Sequence, residues 1–351
     1  MNKRIYYAIQ QVAIAPAGTT GSNSYLQTHT IKGLQSVGMN TRFNLEQAFE
    51  LGQISIYQNI ENLPDVEITL EKLLDGHPLI YHLATRGSTS ATLTGRSNVK
   101  ASLVLSIFDD TQDMSSGTPI SEVYCSGVFV SSLNYNFPVD GNFSESVTLI
   151  GNNKLWHTSS FFFNGQFDGT GSEISPLATE GINRRQHFIF GSGATASKLP
   201  GGVGGVDGIN ASGYNLQDGD GNFAAHVQSV RVQANLGRED MNELGRKGPY
   251  HRYVSFPVQV QCDIEVISTR GDMVEATEAG VLGNGNNLAD KTIVIQVQEG
   301  TKLDLGNKCK LASTNYGNGN AGNRGGNATV TYSYTTFNDL TVTHPEDPSG
   351  L

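Results

Sequence analysis

Several segments of the chain alternate apolar and polar residues with a period of two. Val66, Ile68 and Leu70 fall on one face of an extended segment, and polar residues fall on the other. The stretch 258–266 continues the same alternation for longer, and 292–297 and 329–334 are β-branched and aromatic runs. One apolar and one hydrated face is typical of antiparallel sheet. The pattern therefore predicts a mainly β protein.

Helix signals are few. Residues 44–52 and 235–245 are each predicted as a short helix or turn, because an Asn begins the segment, acids follow and a Gly ends it. The segments 70–74 and 78–84 fit either a strand end or a helix. The predicted fold is therefore an antiparallel β-sandwich or barrel with short helices.

An internal repeat is the most informative feature of the sequence. When the chain is shifted by 193 residues, nine identities fall within the 30 positions 35–64 without a gap. They include Gln-Ser-Val, Glu-Leu-Gly, a Tyr and a Pro, and each Pro leads into an alternating strand. The order strand, short helix, strand is thus predicted twice. Chance similarity between β-rich segments explains this register less well than duplication of a β-domain.

The composition changes between about residues 159 and 222, where Gly, Ser, Asn and Asp dominate. Such a segment is predicted to be a long loop or insertion. We therefore divide the chain into a first β-domain (1–158), the Gly-rich segment (159–222) and a second β-domain (223–351). A shorter Gly/Asn-rich stretch at 315–327 is predicted to be a hairpin tip.

Charge and apolar content restrict the classes of function. The net charge of −10 argues against a protein that binds a phosphate backbone tightly. No apolar run approaches the roughly 20 residues that span a bilayer, and the N-terminus lacks a signal core, so a cytosolic origin is expected. The three cysteines, Cys125, Cys262 and Cys309, are widely spaced and are predicted to be reduced thiols.

Motifs that resemble catalytic or ligand sites do not have the surroundings they need. Gly191-x-Gly193-x-x-Ala196 imitates a dinucleotide fingerprint, but Pro200 and glycines follow where a helix must begin. Asp218-x-Asp220-x-Asn222 lacks the Gly and Glu of a complete calcium loop, and a polar turn is the better interpretation. His77 and His82 are not spaced as ligands on one helical face. The sequence predicts no enzyme, cofactor or metal.

Parts of the chain resemble the tail tube proteins of long-tailed bacteriophages, in particular the large versions of marine phages. The similar strings lie at 35–38, 49–53, 60–76, 135–149 and 243–250, which is under half of the chain. The resemblance implies a β-sandwich or small barrel whose inner strands join those of neighbouring copies around a DNA-sized lumen. It also implies rings that stack through long loops, for which the Gly-rich segment is the candidate.

The resemblance further implies a structural virion protein, made in the host cytoplasm and placed in the tail. Its partners would be copies of itself, a sheath or terminator protein, the baseplate and passing DNA, with no membrane. The polar residues expected to face the lumen are Glu67, Thr69 and Glu71 in the first repeat, and Gln259, Gln261, Asp263 and Glu265 in the second. A ring could hold six chains, or three if the chain carries two tube domains. A baseplate, fibre or receptor-binding protein is the alternative, as is a sheath or capsid decoration protein.

Overall fold

The computed structural model of the chain describes residues 4–16, 30–85, 90–110, 112, 118–158, 181–192, 195–197, 199–200, 226–268, 271–272, 274, 289–317 and 326–345. In these residues strands predominate, as the alternation predicts. The helical elements with described bounds are α1 (Ile80–Thr85), α2 (Leu93–Arg96) and two single turns of 3-10 helix, Tyr7–Ile9 and Arg185–His187. Among the described residues, no helix has the length and apolarity needed to cross a membrane.

The strands form two large sheets and two isolated hairpins. In chain order they are β1 (Gln10–Pro16), β2 (Leu34–Arg42), β3 (Leu45–Phe49), β4 (Ile56–Glu61), β5 (Asp65–Leu73), β6 (Ser90–Thr92), β7 (Ala101–Ile107), β8 (Ser121–Pro138), β9 (Ser144–Gly151), β10 (Leu155–His157), β11 (Phe188–Ser192), β12 (Thr195–Ala196), β13 (Val227–Asn235), β14 (Arg238–Met241), β15 (His251–Val254), β16 (Gln259–Ile267), β17 (Val294–Val297), β18 (Lys302–Asp304), β19 (Lys310–Gly317), β20 (Thr329–Phe337) and β21 (Thr341–Thr343).

Eight strands run side by side in the order β2-β5-β9-β8-β13-β16-β20-β19, all paired antiparallel along this path. We call this the main sheet. Its first four strands come from residues 34–151 and its last four from 227–337. The order of pairing is the same in each group, so β2, β5, β9 and β8 correspond to β13, β16, β20 and β19.

The strands outside the main sheet repeat in the same way. In residues 10–157, which we call the first half, β1 pairs with β7, β7 with the start of β8, and that start with β10. In residues 188–343, the second half, β11 pairs with β17, β17 with β18, and β18 with β21. Each half thus carries a second layer behind its four strands of the main sheet, and the chain order of corresponding strands is preserved. Strand β6, from the first half, joins the layer of the second by pairing with β21.

The segments 44–52 and 235–245 were predicted as a short helix or turn, and the helix alternative is wrong because each segment belongs to a β-hairpin. Strands β3 and β4 form the first hairpin, and β14 and β15 form the second. The terminal glycines serve the hairpin tips, since Gly52 and Gly245 have φ of 90° and 86°. These values suit glycine in a tight turn as well as after a helix. A helix this short is marginally stable without tertiary contacts, whereas pairing of two strands provides hydrogen-bond partners for the backbone N–H and C=O groups of both.

The repeat therefore consists of strand, hairpin and strand. Of the two ambiguous segments, 70–74 lies at the end of β5 and 78–84 overlaps α1. The segment 159–222, predicted as a loop, includes strand β11, which pairs with β17. Its region 201–222, with Asp218, Asp220 and Asn222, lies outside the described residues, as does most of the predicted tip at 318–325.

One face of the main sheet is buried against the second layer. The apolar positions of the alternating strands lie on this face, and a continuous cluster of buried apolar side chains extends through both halves. Cys125, Cys262 and Cys309 are buried, free thiols within it. Burial raises the pKa of the Cys125 thiol to about 11 and that of Cys309 to about 12, so both remain protonated and pack as small apolar groups.

Glu145 of β9 is a fully buried carboxylate that holds α1 against the main sheet. It accepts hydrogen bonds from the backbone N–H groups of Ile80 (2.6 Å) and Tyr81 (3.2 Å) and from the Tyr135 hydroxyl (3.1 Å). Burial raises the pKa of Glu145, and the two backbone hydrogen bonds oppose that rise. Both carboxylate oxygens therefore satisfy buried donors.

We expect Glu145→Gln to lower the free energy of unfolding by about 1–3 kcal/mol, because the amide NH₂ would face a backbone N–H and leave a buried donor unpaired. Urea denaturation followed by circular dichroism measures this change. Ser146→Ala, on the opposite face of the same strand, serves as the control with little effect. An unchanged midpoint for Glu145→Gln would show that these hydrogen bonds do not hold the helix.

Candidate functional site

The second face of the main sheet is polar and is not covered by the rest of the described chain. All seven residues predicted from the alternation lie on this open face, in β5 and β16. The first-repeat residues Glu67, Thr69 and Glu71 are exposed, as is Gln259, whereas Gln261, Asp263 and Glu265 are partly exposed.

Corresponding residues of the two halves form matching rows across the open face. In the first half, Ser36, Glu71, Ser146 and Asn134 lie opposite one another on successive strands. In the second half, the equivalent row is Ser229, Glu265, Thr331 and Asn315. The first contact of each row is the same, because Ser36 donates a hydrogen bond to Glu71 (3.4 Å) and Ser229 donates one to Glu265 (3.1 Å).

Hydrogen bonds hold several of these side chains in place. The Asp263 carboxylate accepts from Ser333 (2.6 Å) and from the amide of Gln261 (3.0 Å). The Arg231 guanidinium donates to the Asn134 side chain (2.9 Å) across the middle of the sheet. Together with Glu67 and Glu71 at one end, these groups make a hydrophilic surface on which carboxylates outnumber guanidinium groups.

The junction between the halves, which we call the seam, is the pairing of β8 with β13. In this ladder Tyr135 lies opposite Val232, and Asn134 opposite Gln233. Tyr135 and Val232 point to the core and are 0% and 1% exposed. A tyrosine and a valine that face each other across an antiparallel pair seal the core at this point.

The outer strands of the main sheet are β2 and β19, and in the described chain each has only one neighbour in that sheet. Tracing the registers across each half makes Tyr316 of β19 the counterpart of Tyr135, and Met39 of β2 the counterpart of Val232. Tyr316 is 58% exposed, in contrast to the buried Tyr135. The two outer strands thus carry counterparts of the seam residues, of which Tyr316 is exposed and Met39 is partly buried against the core.

The second hairpin lies against the first half through specific contacts. Arg238 donates to the backbone carbonyl of Val130 (2.9 Å), and its guanidinium lies over the Phe129 ring. Arg252, 5% exposed, forms an ion pair with Asp240 (2.8 Å) and donates to Asn152 (2.9 Å). Burial lowers the pKa of Arg238 to about 10, so it keeps its charge at neutral pH. Gly248 also packs against Leu63, since a methyl carbon of Leu63 lies 3.5 Å from the position that a Cβ atom would have at residue 248.

The first hairpin contrasts with the second, since every residue of β4 and all but Ala48 of β3 are exposed. Its large apolar side chains include Leu45, Phe49, Ile56, Tyr57 and Ile60, all of which face solvent in the described chain. Exposed apolar surface on this scale marks a contact surface. Leu51 and Leu244, at equivalent tips, are both fully exposed.

The described residues of the motifs that imitate catalytic or ligand sites lie away from the open face. Gly191 belongs to strand β11, and His82 is buried in α1 with its ring 6.2 Å from that of His344. Among the described residues, no group of three or more His, Cys, Asp or Glu side chains is placed to hold a metal ion. A cavity of about 150 Å³ between Arg42, Asp65 and Arg252 lies where the second hairpin meets the first half. Ligand pockets usually exceed this volume.

Sequence reasoning did not relate β19 and Tyr316 to the internal repeat. The signal was present, because Asn134-Tyr135 and Asn315-Tyr316 are the same dipeptide in corresponding strands. A uniform shift of 193 residues does not bring the two dipeptides into register, because the connections between corresponding strands differ in length.

No protein-family model and no curated protein sequence matches the chain. Solved structures with partial similarity include the tube terminating cap of the anti-feeding prophage, at 12% identity and a TM-score of 0.33, covering 45% of this chain and 94% of that one. The baseplate structure of the same prophage matches at 10% identity and 0.33, covering 46% and 100%. The sheath–tube complex of an extracellular contractile injection system, in its extended state, matches at 12% identity and 0.33, covering 45% and 94%.

Proposed function

We propose that the chain is a structural subunit of a bacteriophage tail tube, in which three copies close into a ring and rings stack into a conduit for DNA. The observation that carries this proposal is the main sheet, in which two equivalent groups of four strands lie side by side with one common polar face. The two halves are proposed as two tube-like domains. The proposed role involves no catalysis, cofactor or metal.

The proposed closure into a ring is based on the outer strands β2 and β19, each of which has one neighbour in the main sheet of the described chain. A flat sheet with two open edges tends to pair with further strands, and closing it into a barrel removes the edges altogether. Identical copies joined head to tail close when their rotation completes a circle. If the chain provides two of six equivalent units, three chains complete the ring.

The dimensions fit a DNA conduit. Three chains with eight strands each give a barrel of 24 strands. At a strand spacing of about 4.8 Å and the tilt usual in barrels, the backbone diameter is roughly 45 Å. Barrels of 16–18 strands already leave an aqueous channel, so the open face of the main sheet would surround a lumen wider than a DNA duplex.

An acidic, hydrophilic lining suits passage of DNA without binding. Carboxylates repel the phosphate backbone, and their effect reaches about 8 Å at physiological salt. Repulsion therefore acts on DNA near the wall and keeps it from adhering. The seven residues of β5 and β16 are proposed to face this lumen. The proposed location is the virion tail, after synthesis in the host cytoplasm, with a sheath or terminator protein and the baseplate as further partners.

Electron cryo-microscopy of the purified, concentrated chain tests the proposal. We expect rings or tubes with a central channel and three-fold symmetry, in which the six sectors alternate between two kinds because the halves differ in sequence. Rings in which all six sectors have identical density would contradict the three-chain assignment. A chain that stays monomeric at high concentration under every salt condition would contradict the tube itself.

A further inference from the structure

We propose that the contact between neighbouring copies repeats the seam within one chain. In this arrangement β2 of one copy pairs with β19 of the next, and the first hairpin docks on the second half of that neighbour. The inference rests on the proposed ring and adds its partner surfaces and their register. Within one chain, the second half pairs with the first half at the seam. The inference follows if the first half of one copy pairs in the same way with the second half of the next copy.

The register of the new ladder can be read from the seam. Tyr135 faces Val232, Asn134 faces Gln233 and Leu133 faces Ala234. Replacing each residue by its counterpart places Tyr316 opposite Met39 of the next copy, and gives the further pairs Asn315–Asn40 and Thr314–Thr41. All three pairs are sterically ordinary for an antiparallel ladder, and the Asn pair can exchange side-chain hydrogen bonds as amides do.

Irregularities in the ladders support this correspondence. The pairing of β8 with β9 shifts by one residue between Val130 and Ser132, and that of β19 with β20 shifts at the equivalent place, between Leu311 and Ser313. The pairings of β2 with β5 and of β13 with β16 also shift at equivalent places, next to Gln35 and Gln228. A shift of this kind changes the twist and direction of a strand. The outer strands therefore have the curvature that the seam requires.

The hairpins give the second part of the interface. The second hairpin contacts the first half, on the side toward which β13 pairs with β8. By the same correspondence, the first hairpin extends beyond the outer strand β2 and away from its own chain. This position accounts for its exposure. Leu45, the counterpart of Arg238, would then lie against the backbone at Leu311 of the neighbour.

The receiving surface on the neighbour carries a phenylalanine at two positions, and Lys310 is the counterpart of Phe129. Phe256 is the counterpart of Leu63, and Phe337 of Asn152, and these phenylalanines are 47% and 56% exposed. An apolar hairpin and two exposed phenylalanines are complementary in chemistry. Burial of such side chains stabilises the contact, because it removes apolar surface from water.

Cysteine cross-linking tests the arrangement. Gly248 and Leu63 meet within the chain, and their counterparts are Ser55 and Phe256, so Ser55→Cys with Phe256→Cys should react with a short bis-maleimide between copies. Under ring-forming conditions we expect covalent species of two and three chains on a denaturing gel, with three as the limit. The matched control, Leu63→Cys with Gly248→Cys, should cross-link within one chain, so it should migrate as a single chain on the gel. Each single variant should give no three-chain species.

The outcomes separate this inference from the function on which it rests. Three-fold rings seen by microscopy without cross-linking between copies in the Ser55/Phe256 variant would overturn the repeated seam and leave the tube in place. Absence of rings and of cross-links in a folded protein would overturn both. A ladder that continues beyond three chains would overturn the closed three-chain ring.

Discussion

Replacing Tyr316 with glutamate is expected to abolish ring and tube formation while leaving the chain folded. The side chain is 58% exposed in the single chain but is predicted to become as buried as Tyr135 when β19 pairs with the next copy. A carboxylate buried without a partner costs several kcal/mol, and each three-chain ring contains three such sites. Sedimentation velocity and negative-stain microscopy measure the loss, and thermal unfolding of the variant should match that of unassembled wild-type chains, because assembly itself raises the apparent stability.

Three further variants make this prediction specific to the proposed register. Tyr316→Phe keeps the apolar ring and should assemble as the wild type does. Met39→Lys should block assembly by placing an unpaired ammonium in the same position. Combining Met39→Lys with Tyr316→Glu opposes the two charges at every junction and should recover part of the assembly. Full assembly of Tyr316→Glu alone would show that β19 is not an interface strand.

The alternation of apolar and polar residues, with the β-branched and aromatic run 329–334, was sufficient to predict three strands of the main sheet, β5, β16 and β20, and the alternation also gave the face on which the polar side chains of β5 and β16 lie. Val66, Ile68 and Leu70 are buried while Glu67 and Glu71 are exposed, because side chains in a strand point alternately to its two faces. A prediction shifted by one residue would have assigned the buried side chains to the polar face and the polar side chains to the core.

The hairpins could not be predicted in the same way, because local signals for a helix end and a hairpin tip coincide. Gly52 serves equally after a helix and in a turn at positive φ. The decision between them depends on whether a partner strand follows, and that strand, β4, is exposed and carries no regular alternation. The repeat was nevertheless detectable, because the two copies keep the same tip residues.

The difference between the two hairpins also could not be read from sequence. Arg238 and Arg252 are basic residues of a kind common on surfaces, yet each donates a hydrogen bond to the first half of the chain, Arg238 to Val130 and Arg252 to Asn152. Their counterparts Leu45 and Asn59 lie in an exposed hairpin. Only the placement of both hairpins relative to the main sheet distinguishes them. The second hairpin is in contact with the first half of its own chain, whereas the exposed first hairpin is proposed to contact a neighbouring copy.

Reversal of the charge on the open face is expected to convert a passive conduit into one that holds DNA. Lysine at Glu67, Glu71, Asp263 and Glu265 exchanges four negative for four positive charges in each chain. Three chains per ring would then present twelve ammonium groups where twelve carboxylates stood. Because phosphate contacts release counterions, the affinity for duplex DNA should rise strongly and fall steeply with added salt.

The reversed tubes should retain duplex DNA that is protected from nuclease, whereas wild-type tubes should retain none at ~0.15 M salt, where exposed charges are screened beyond about 8 Å. In a phage that carries the substitutions, tubes should form and DNA ejection should slow or stop. The matched control is the neutral set with Gln or Asn at the same four positions, which removes repulsion without adding attraction and should not retain DNA. Intact reversed tubes with unchanged ejection and no retained DNA would place these four side chains outside the lumen, since a lining of ammonium groups cannot be neutral toward a phosphate backbone moving past it.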